Sequence, residues 1–414
     1  MKIIFTLFTS FFILHFAFSQ APQSSSSHYQ KKKVSTTSVQ LLYSHYAQGG
    51  KHSAVTGGKG TEELTANMPE MIIAHTIDST HTIHVNLGVD VISSASTDKI
   101  DFDVSSASSK DARTHFSVGY GRKMKQSGWE WGSTLSFSIE SDYFSRGADI
   151  WLSHQNPAQT RKWSLGLQGY FDDLRWGRLN PNHFLQAKKL IYPEELRNKE
   201  WFDEYKRNSL RWSMSLYQVI NTKMTLGIFP NLVYQKGLLA TPFHRVYFVE
   251  SEQAKVENLP QERVKIPLGI QFNYFLGSQW ILRTYYRYYW DNFGIRAHTI
   301  NLEVPFKINH LFSVYPILRY YHQTQADYFR PYKEHLEKSL FYTSDYDLSG
   351  FYSYKLGAGV RFAPFKKLGK KEKYFKETTL RYAYYSRSDG LDAHIFSVLF
   401  DFEIHREKLK RQKK

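Results

Sequence analysis

Residues 280–291 read WILRTYYRYYWD, and this stretch decides the fold. Trp280, Leu282 and the other even positions form a face of an extended strand that suits lipid, whereas the odd positions carry Arg283, Arg287 and Asp291 and suit water. The strands of a soluble β-sandwich also alternate apolar and polar residues, but these strands are usually about five or six residues long. Stretches of this kind run here for about ten to thirteen residues, the length that a tilted strand needs to cross a bilayer. The pattern therefore predicts a membrane-spanning β-barrel.

The same alternation recurs almost without interruption over residues 37–404. We predict an all-β fold, a transmembrane antiparallel up-and-down β-barrel of about 16 strands, within a range of about 14 to 18. Every second connection is brief, and the long ones fall between them at 48–69, 93–111, 172–207, 236–262 and 323–349. Outer-membrane barrels have short periplasmic turns and long extracellular loops. The regular succession of brief and long connections therefore predicts an even number of strands, with both termini in the periplasm.

The ends of the chain differ in character from the barrel. Residues 1–19 have the form of a signal peptide, because Lys2 precedes an apolar core and Ala17 and Ser19 are the small residues before a cleavage point. Residues 20–36 are serine-rich and lack any hydrophobic period, which predicts a disordered N-terminal segment. We expect the barrel over 37–404 and a basic periplasmic tail over 405–414.

The composition narrows the class of protein and its partners. The 414 residues include no cysteine, carry a formal net charge of +16 and are 16% aromatic. Beyond the leader there is no run of about twenty apolar residues, which excludes a helical membrane protein. On an exported chain the positive charge indicates outer-membrane lipid and lipopolysaccharide as partners, and no nucleic acid. The alternating aromatic residues of 396–404 resemble the signal by which barrel-insertion machinery recognises its clients, so that machinery is a further expected partner.

Charged side chains fall on the polar phase of the predicted strands and are candidates to line the lumen. They form either a basic ladder that favours anionic solutes or mutual pairs that brace the inside of the barrel, and the sequence leaves both readings open. Gly269, Gly357 and Gly359 lie on the same phase, where a cysteine would test whether the lumen is open. The charged candidates are Lys265, Arg283, Arg287, Lys355, Arg361, Arg381, Glu130, Glu140, Asp291 and Glu303.

Histidine is the residue type most suited to metal binding in a chain without cysteine. Of the 17 histidines, His84 and His115 lie on the polar phase of neighbouring predicted strands and are the candidate metal pair. Histidines that merely line a polar lumen are the alternative, so metal binding stays unknown. We expect no cofactor. No Gly-x-Ser-x-Gly elbow occurs, and the chain is not predicted to be an enzyme.

The first long loop has the most distinctive sequence, HSAVTGGKGTEEL over residues 52–64. Its glycines permit positive φ angles and a tight backbone turn, but the loop lacks the Gly-Lys-Ser/Thr ending of a phosphate-binding P-loop. We predict a folded loop that tucks inward and restricts the lumen. The candidates for this constriction are His52, Thr56, Gly57, Gly58, Gly60 and Glu62.

This loop also carries a resemblance to a known family. Together with YSHY at 43–46, DAR at 111–113, PFHRVYF at 242–248 and LP at 259–260, it resembles the signatures of an uncharacterised family of Gram-negative outer-membrane β-barrel proteins, a domain of unknown function with an HSAVTGGxGTE loop. The resemblance covers nearly the whole mature chain. It implies a barrel at the outer membrane and periplasmic partner proteins of thioredoxin-like and flavin-attaching kinds, but no established substrate.

Two functions follow as hypotheses. The leading one is an outer-membrane channel or transport protein for small solutes, with a charged lumen that loops restrict. The alternative is a surface binding or assembly protein whose barrel is an anchor with a closed lumen, working with periplasmic redox or flavin-linked partners.

Overall fold

A computed structural model describes residues 34–94, 111–125, 127–140, 144–174, 206–241, 244–251, 253–369 and 372–407. Over these residues the chain forms a closed antiparallel barrel of 16 strands, which confirms the predicted fold class. The barrel closes where the first strand pairs with the last, with Val39 opposite Phe402 in the middle of the register. The predicted signal peptide lies outside the described residues.

The barrel strands follow one another in chain order, each antiparallel to the next. They are β1 (Val34–Gly49), β2 (Leu64–Ile77), β3 (His81–Ser94), β4 (Asp111–Lys123), β5 (Trp129–Ile139), β6 (Phe144–Gln155), β7 (Arg161–Asp173), β8 (Lys206–Asn221), β9 (Met224–Gly237), β10 (Glu262–Leu276), β11 (Trp280–Asp291), β12 (Arg296–Glu303), β13 (Phe312–Gln323), β14 (Phe351–Phe362), β15 (Lys373–Arg387) and β16 (Asp392–Glu407). β1 begins at Val34 rather than at 37, and β16 ends at Glu407 rather than at 404, because the two strands pair with each other over their full lengths.

The outer face of the barrel is apolar. Leu135 is 53% exposed, Ile150 60% and Leu356 56%, and many other large apolar side chains on this face are similarly exposed. Apolar surface of this extent is unfavourable in water by about 25 cal/mol for each Å², so a soluble protein would bury it. The alternation of an apolar outer face with a polar inner face is that of a barrel immersed in lipid.

Aromatic side chains border the apolar band at both ends, as β13 and β14 show. Towards the end that carries the long loops, the rings of Tyr320 and Tyr354 lie 5.1 Å apart. Towards the end that carries the short turns, the rings of Phe312 and Phe362 stack at 4.8 Å. Leu356 lies between these two levels on β14. Aromatic girdles on either side of an apolar band mark the two interfaces of a membrane.

Among the described residues, no helix is long and apolar enough to span a membrane.

The long connections that the structure describes lie at the same end of the barrel, as predicted. The described long connections are loop A (residues 50–63), loop B (238–261) and loop C (324–350), and all three lie at one end of the barrel, which we call the long-loop end. The tight turns 292–295 and 388–391 also lie there. The connections 95–110 and 175–205, predicted to be long loops, fall outside the described residues. The described ends of the chain, Val34 and Glu407, pair at the opposite, short-turn end.

Rings and backbone from neighbouring strands cross the glycines on the inner face. A Cβ atom on Gly359 would lie 2.1 Å from the ring of Tyr315, and one on Gly269 would lie 2.5 Å from the hydroxyl of Tyr285. At Gly357 it would lie 2.5 Å from the carbonyl oxygen of Tyr382 on the neighbouring strand. Glycine therefore makes room for the rings and backbone that cross it, an arrangement known to stabilise sheets. Cysteine at these positions would disturb the wall, so another position is needed for a cysteine that reports on lumen access.

The main cluster of buried apolar residues lies at the long-loop end. It comprises Leu259, Phe293, Ile295, Ala326 and Phe329, which come from loop B, loop C and the turn between β11 and β12. Among the described residues, this cluster therefore joins loops to one another at the end of the barrel.

Candidate functional site: a charged lumen beneath a loop cap

A cavity of about 810 Å³ lies inside the barrel and extends to the short-turn end, where Gln279 and His310 line it. Its wall comes from the inner faces of strands on both sides of the barrel closure, including β1, β11 and β16. Four of the predicted lumen residues line this cavity: Arg283, Glu303, Arg361 and Arg381.

Ion pairs occupy part of this inner surface. Nη1 of Arg283 lies 2.8 Å from Oε1 of Glu303 on the next strand, and Nε of Arg361 donates to Oε2 of Glu377 at 2.8 Å. Pairing of neighbouring strands by opposite charges stabilises a sheet. These two ion pairs have the arrangement expected if charges in the lumen brace neighbouring strands.

Two further predicted lumen acids also have basic neighbours. Oε2 of Glu130 lies 3.2 Å from Nζ of Lys162, and Oε1 of Glu140 lies 3.9 Å from Nε of Arg113. Arg113 also lies 3.5 Å from Oδ2 of Asp90, which places it between two carboxylates. Both acids therefore have a basic neighbour on the inner face of the barrel.

Asp291 has a structural role in the turn between β11 and β12. Its Oδ1 accepts the backbone N–H groups of Phe293 and Ile295 at 3.0 Å each, and its Oδ2 accepts from Nε of Arg263 at 3.0 Å and from the Tyr289 hydroxyl at 2.7 Å. A buried carboxylate with this number of donors is fully satisfied. Lys265 lies directly across the sheet from it in the register.

A second set of inner-face cations has no acidic partner. In the described part of the chain, no carboxylate lies within ion-pair distance of Arg287, Arg319, Lys355 or Arg381, and we call these four residues the cation belt. Arg319 and Lys355 are directly opposite each other across β13 and β14. Among the described residues, Nε of Arg287 is buried without a hydrogen-bond partner. The described inner face therefore carries both ion pairs and cations that lack a carboxylate within ion-pair distance.

Tyrosine supports the cation belt. The guanidinium of Arg381 lies 4.9 Å from the ring centroid of Tyr315, and its Nε donates to the Tyr315 hydroxyl at 3.3 Å. Cation–π contact of this kind holds a positive charge without neutralising it. Arg319 was absent from the sequence candidates, although its place on the inner phase of β13 was a sufficient signal.

Loops A, B and C interlock over the long-loop end, and we call this assembly the cap. Side chains on the inner face of the barrel hold loop C in place. Nε2 of Gln323 donates to the carbonyl oxygens of Asp347 at 3.0 Å and Ser349 at 2.6 Å. Nη1 of Arg387 lies 2.5 Å from Oδ1 of Asp347, and its Nη2 donates to the carbonyl oxygen of Tyr346 at 2.8 Å. Loop C is therefore fixed to the inside of the barrel wall.

Loop A folds back and packs against the other two loops. A 3-10 turn at Ala54–Thr56 leads into Gly57, Gly58 and Gly60, whose φ angles are +78°, +84° and +96°. The ring of His52 stacks on Tyr346 of loop C with centroids 3.7 Å apart, while its Nδ1 lies 2.9 Å from the carbonyl oxygen of Gly58.

The remaining predicted loop A residues have internal contacts. The hydroxyl of Thr56 donates to the carbonyl oxygen of Lys59, which closes the turn. The backbone N–H of Glu62 donates to the carbonyl oxygen of Gly50 at 3.0 Å. Burial beside Asp347 and Asp345 raises the pKa of the Glu62 carboxyl to about 7. Glu62 thus faces the acidic side of loop C.

The contact between loop A and loop C can be tested with two alanine variants. A Cβ on Gly58 would lie 2.7 Å from the carbonyl oxygen of Ser344, whereas one on Gly60 would lie no nearer than 3.4 Å to the Thr56 hydroxyl. Both positions have positive φ, so alanine has a comparable backbone cost of about 1–2 kcal/mol at each. We expect Gly58→Ala to speed tryptic cleavage after Lys59 several-fold more than Gly60→Ala does, because only Gly58→Ala also displaces the loop. Equal cleavage of the two variants would contradict this packing.

Loops B and C also bring together a histidine and two carboxylates. Nδ1 of His244 lies 3.6 Å from Oε1 of Glu257 and 3.7 Å from Oδ2 of Asp345. Burial lowers the pKa of His244, but the two carboxylates outweigh it and hold that pKa above its ordinary value. Burial also raises the pKa of Asp345 to about 6. Within the described ranges, this is the one group of three such side chains close enough to share a metal ion.

The structure does not bring the predicted metal pair together. His84 lies opposite Gly119, whereas His115 lies opposite Gly88, so the register separates the two histidines along β3 and β4. Nε2 of His84 lies 3.2 Å from the Thr134 hydroxyl. His115 instead lies 3.8 Å from Oδ1 of Asp90. Each histidine crosses a glycine on the adjacent strand, as the lumen tyrosines do.

Comparison with solved structures gives barrels of low sequence identity. The outer-membrane protein OpdK from Pseudomonas aeruginosa is 8% identical with a TM-score of 0.41, and the match covers 90% of this chain and 99% of OpdK. A BenF-like porin from Pseudomonas fluorescens Pf-5 is 7% identical with a TM-score of 0.42, over 89% of this chain and 99% of the porin. A bacterial polysaccharide outer-membrane secretin is 10% identical with a TM-score of 0.44, over 89% and 98% of the two chains.

The comparison with protein families covers most of the barrel. No curated protein matches the chain. The sequence pattern of the proteins of unknown function named DUF3570 matches residues 101–394, from the region before β4 into β16. This agrees with the resemblance seen in the sequence to an uncharacterised family of β-barrel proteins. The chain belongs to the DUF3570 family.

Proposed function

We propose that this protein is an outer-membrane channel that passes small anionic solutes and whose extracellular mouth is restricted by the cap. The observation that carries the proposal is the water-accessible cavity of about 810 Å³ inside the barrel, with the cation belt on the same inner face. A barrel of about sixteen strands is wide enough for an aqueous path unless loops or side chains fill it. The buried apolar cluster of the described residues lies in the cap, whereas the cavity in the lower lumen is lined by charged side chains such as Arg283 and Arg361 together with apolar ones such as Leu42 and Ile281.

The apolar band supports a place in the outer membrane. Lipid contacts its outer face, and the two levels of aromatic residues match the two interfaces. In this orientation the long-loop end faces the exterior, where lipopolysaccharide surrounds it, and the short-turn end with both chain ends faces the periplasm. The barrel-insertion machinery would recognise the last strand, β16.

The cation belt supports a preference for anions. Four cations that have no acidic partner in the described ranges create a positive potential in a narrow space with low-dielectric walls, and such a potential raises the local concentration of anions. Arg287 supports the same point, because its buried Nε has no hydrogen-bond partner in these ranges and is suited to an anionic solute.

The cap also supports a second function. Loops B and C share a buried core and are fixed to the barrel wall, as expected of a barrel-anchored binding or assembly protein with a closed lumen. In that case the extracellular surface of the cap would contact a partner, and periplasmic redox or flavin-linked proteins would be further partners. The two functions differ in whether ions cross the barrel.

Planar-bilayer recording tests the proposal. We expect the refolded chain to conduct and, under a salt gradient, to show a reversal potential that indicates anion preference. Lys355→Glu should lower the ratio of anion to cation permeability about three- to tenfold, because one nearby charge reversal in a partly aqueous site is worth about 1 kcal/mol. Lys125→Glu, the same change in an exposed turn outside the barrel, should leave the ratio unchanged.

Two results would contradict the channel. One is the absence of any conductance both in the natural chain and in a variant with a loosened cap, which would favour the closed-lumen function. The other is conductance with a permeability ratio that Lys355→Glu does not change.

A further inference from the structure

We infer that Nδ1 of His244, Oε1 of Glu257 and Oδ2 of Asp345 bind a divalent transition-metal ion, with Zn²⁺ as the expected ion, which joins loop B to loop C. The inference concerns the cap and does not depend on conduction through the lumen. It therefore stands or falls separately from the proposed channel.

The distances between the three atoms fit a metal site better than they fit hydrogen bonds. The separations of 3.6 Å and 3.7 Å from His244 Nδ1 to the two carboxylate oxygens exceed the usual 2.7–3.2 Å of an N–H···O bond. Ligand atoms about 2.0–2.1 Å from a tetrahedral zinc ion lie about 3.3 Å from one another. A small inward movement of each side chain would close this difference.

The imidazole of His244 points to the same conclusion. Its Nδ1 is fully buried and has no hydrogen-bond partner among the residues that the structure describes. A buried polar atom without a partner destabilises a fold by about 1–3 kcal/mol. A metal ion between Nδ1 and the two carboxylates would satisfy this atom and neutralise the two negative charges, which the imidazole alone does not do.

Hydrogen bonds around the cluster hold the carboxylates in their present orientation. Oε2 of Glu257 accepts the backbone N–H of Thr241 at 2.7 Å, and its Oε1 accepts the hydroxyl of Thr343. The Thr343 oxygen in turn accepts the backbone N–H of Asp345 at 3.0 Å, and Oδ1 of Asp345 accepts the N–H of Asp347 at 2.9 Å. Metal ligands are typically oriented by such outer hydrogen bonds. Thr343, which is completely buried, connects the Glu257 carboxylate to the backbone of Asp345 and is a positioning residue.

The donor set indicates the class of ion. One imidazole with two carboxylates suits Zn²⁺ and related first-row ions, whereas Ca²⁺ takes six to eight oxygen ligands. The chain has no cysteine to supply the thiolates that a soft ion prefers. The side chain of Glu257 is 2% exposed, but those of His244 and Asp345 are 20% and 23% exposed, so water can reach the ion from one side. Water would then supply a fourth ligand.

Metal analysis of the full chain in detergent tests the site. The protein is stripped with a chelator, dialysed against Zn²⁺ and analysed by atomic emission, and we expect about one zinc ion per chain. Glu257→Gln and Asp345→Asn should each weaken zinc affinity by at least 10- to 100-fold, the usual effect of changing even the outer partners of a metal. Glu262→Gln is the matched control, because Glu262 is exposed at the start of β10 and pairs with Lys236 away from the cluster.

Cobalt gives a second measurement that does not depend on the variants. Co²⁺ in the natural chain should show the visible absorption of a four- or five-coordinate ion with nitrogen and oxygen ligands, and Zn²⁺ should displace it. Natural protein that binds no Zn²⁺ and shows no such band overturns the inference. Glu257→Gln and Asp345→Asn variants that fold and bind Zn²⁺ as tightly as Glu262→Gln also overturn it, and the cluster is then an ion pair bridged by a proton.

Discussion

Arg387→Ala is expected to loosen loop C from the barrel wall and to raise the rate of tryptic cleavage after Lys338 roughly tenfold. The Asp347 carboxylate is 76% exposed, so the lost ion pair costs at most about 1 kcal/mol, and the lost hydrogen bond to the carbonyl oxygen of Tyr346 adds about 1 kcal/mol. A loss of about 1.4 kcal/mol corresponds to a tenfold change in the population of the released loop. When opening is fast relative to cleavage, the proteolysis rate follows this population.

The size of this effect follows from the number of contacts that Arg387 makes. Its side chain is 6% exposed and lies between Asp347 of loop C and Asp389 of the turn between β15 and β16, whose side chains are 76% and 10% exposed. Its guanidinium also lies 3.9 Å from the ring centroid of Phe351. Alanine would leave Asp389 without its main cation.

The experiment compares three variants. Arg296→Ala removes an exposed arginine at the same end of the barrel and should leave the cleavage rate unchanged. Arg387→Lys keeps the charge but loses the planar fork of donors, so its cleavage rate should lie between those of the natural chain and Arg387→Ala. If Arg387→Ala and Arg296→Ala are cleaved at the same rate, loop C is not held by Arg387. If the channel is open beneath the cap, Arg387→Ala should also conduct more than the natural chain.

The barrel was predictable from the sequence because its determinants are local. Alternation with a period of two fixes which face of a strand meets lipid, and the parity of long and short connections fixes which ends lie together. Both rules need only neighbouring residues, as 280–291 shows. The strand bounds differ from those predicted by a few residues, since pairing of β1 with β16 extends both strands.

The arrangement inside the lumen was only partly predictable. Inner and outer faces follow from the period, so Arg283, Arg287 and Lys355 were assigned to the inner phase from the sequence alone. Which of them would be neutralised depends on the register between strands, which places Glu303 beside Arg283 but sets Arg319 opposite Lys355. The same dependence places the ring of Tyr315, on the neighbouring strand, over Gly359.

The cap could not be predicted in detail, because its contacts join residues far apart in the chain. His244 lies in loop B and Asp345 lies in loop C, so the two residues meet only when these loops pack together. No sequence motif spans the distance between them along the chain. His84 and His115 lie on the inner faces of neighbouring strands, as the alternation of residues predicts. The register between these strands nevertheless places them opposite different residues. Loop A was recognised as folded from its glycines, whereas its contact with Tyr346 needed the structure.

Accessibility of the lumen to a small anionic thiosulfonate reagent tests the central claim most directly. Because the chain contains no cysteine, a single cysteine can be placed at Ser397, which lines the cavity opposite Arg381, or at Leu356, which faces lipid and is 56% exposed on the outer face. In lipid nanodiscs, where both ends of the barrel meet water, we expect Ser397→Cys to react at a rate close to that of a free thiol and Leu356→Cys to be protected. Protection of Ser397→Cys in an intact barrel, or equal reaction at both positions, would contradict a water-filled lumen enclosed by a lipid-facing wall.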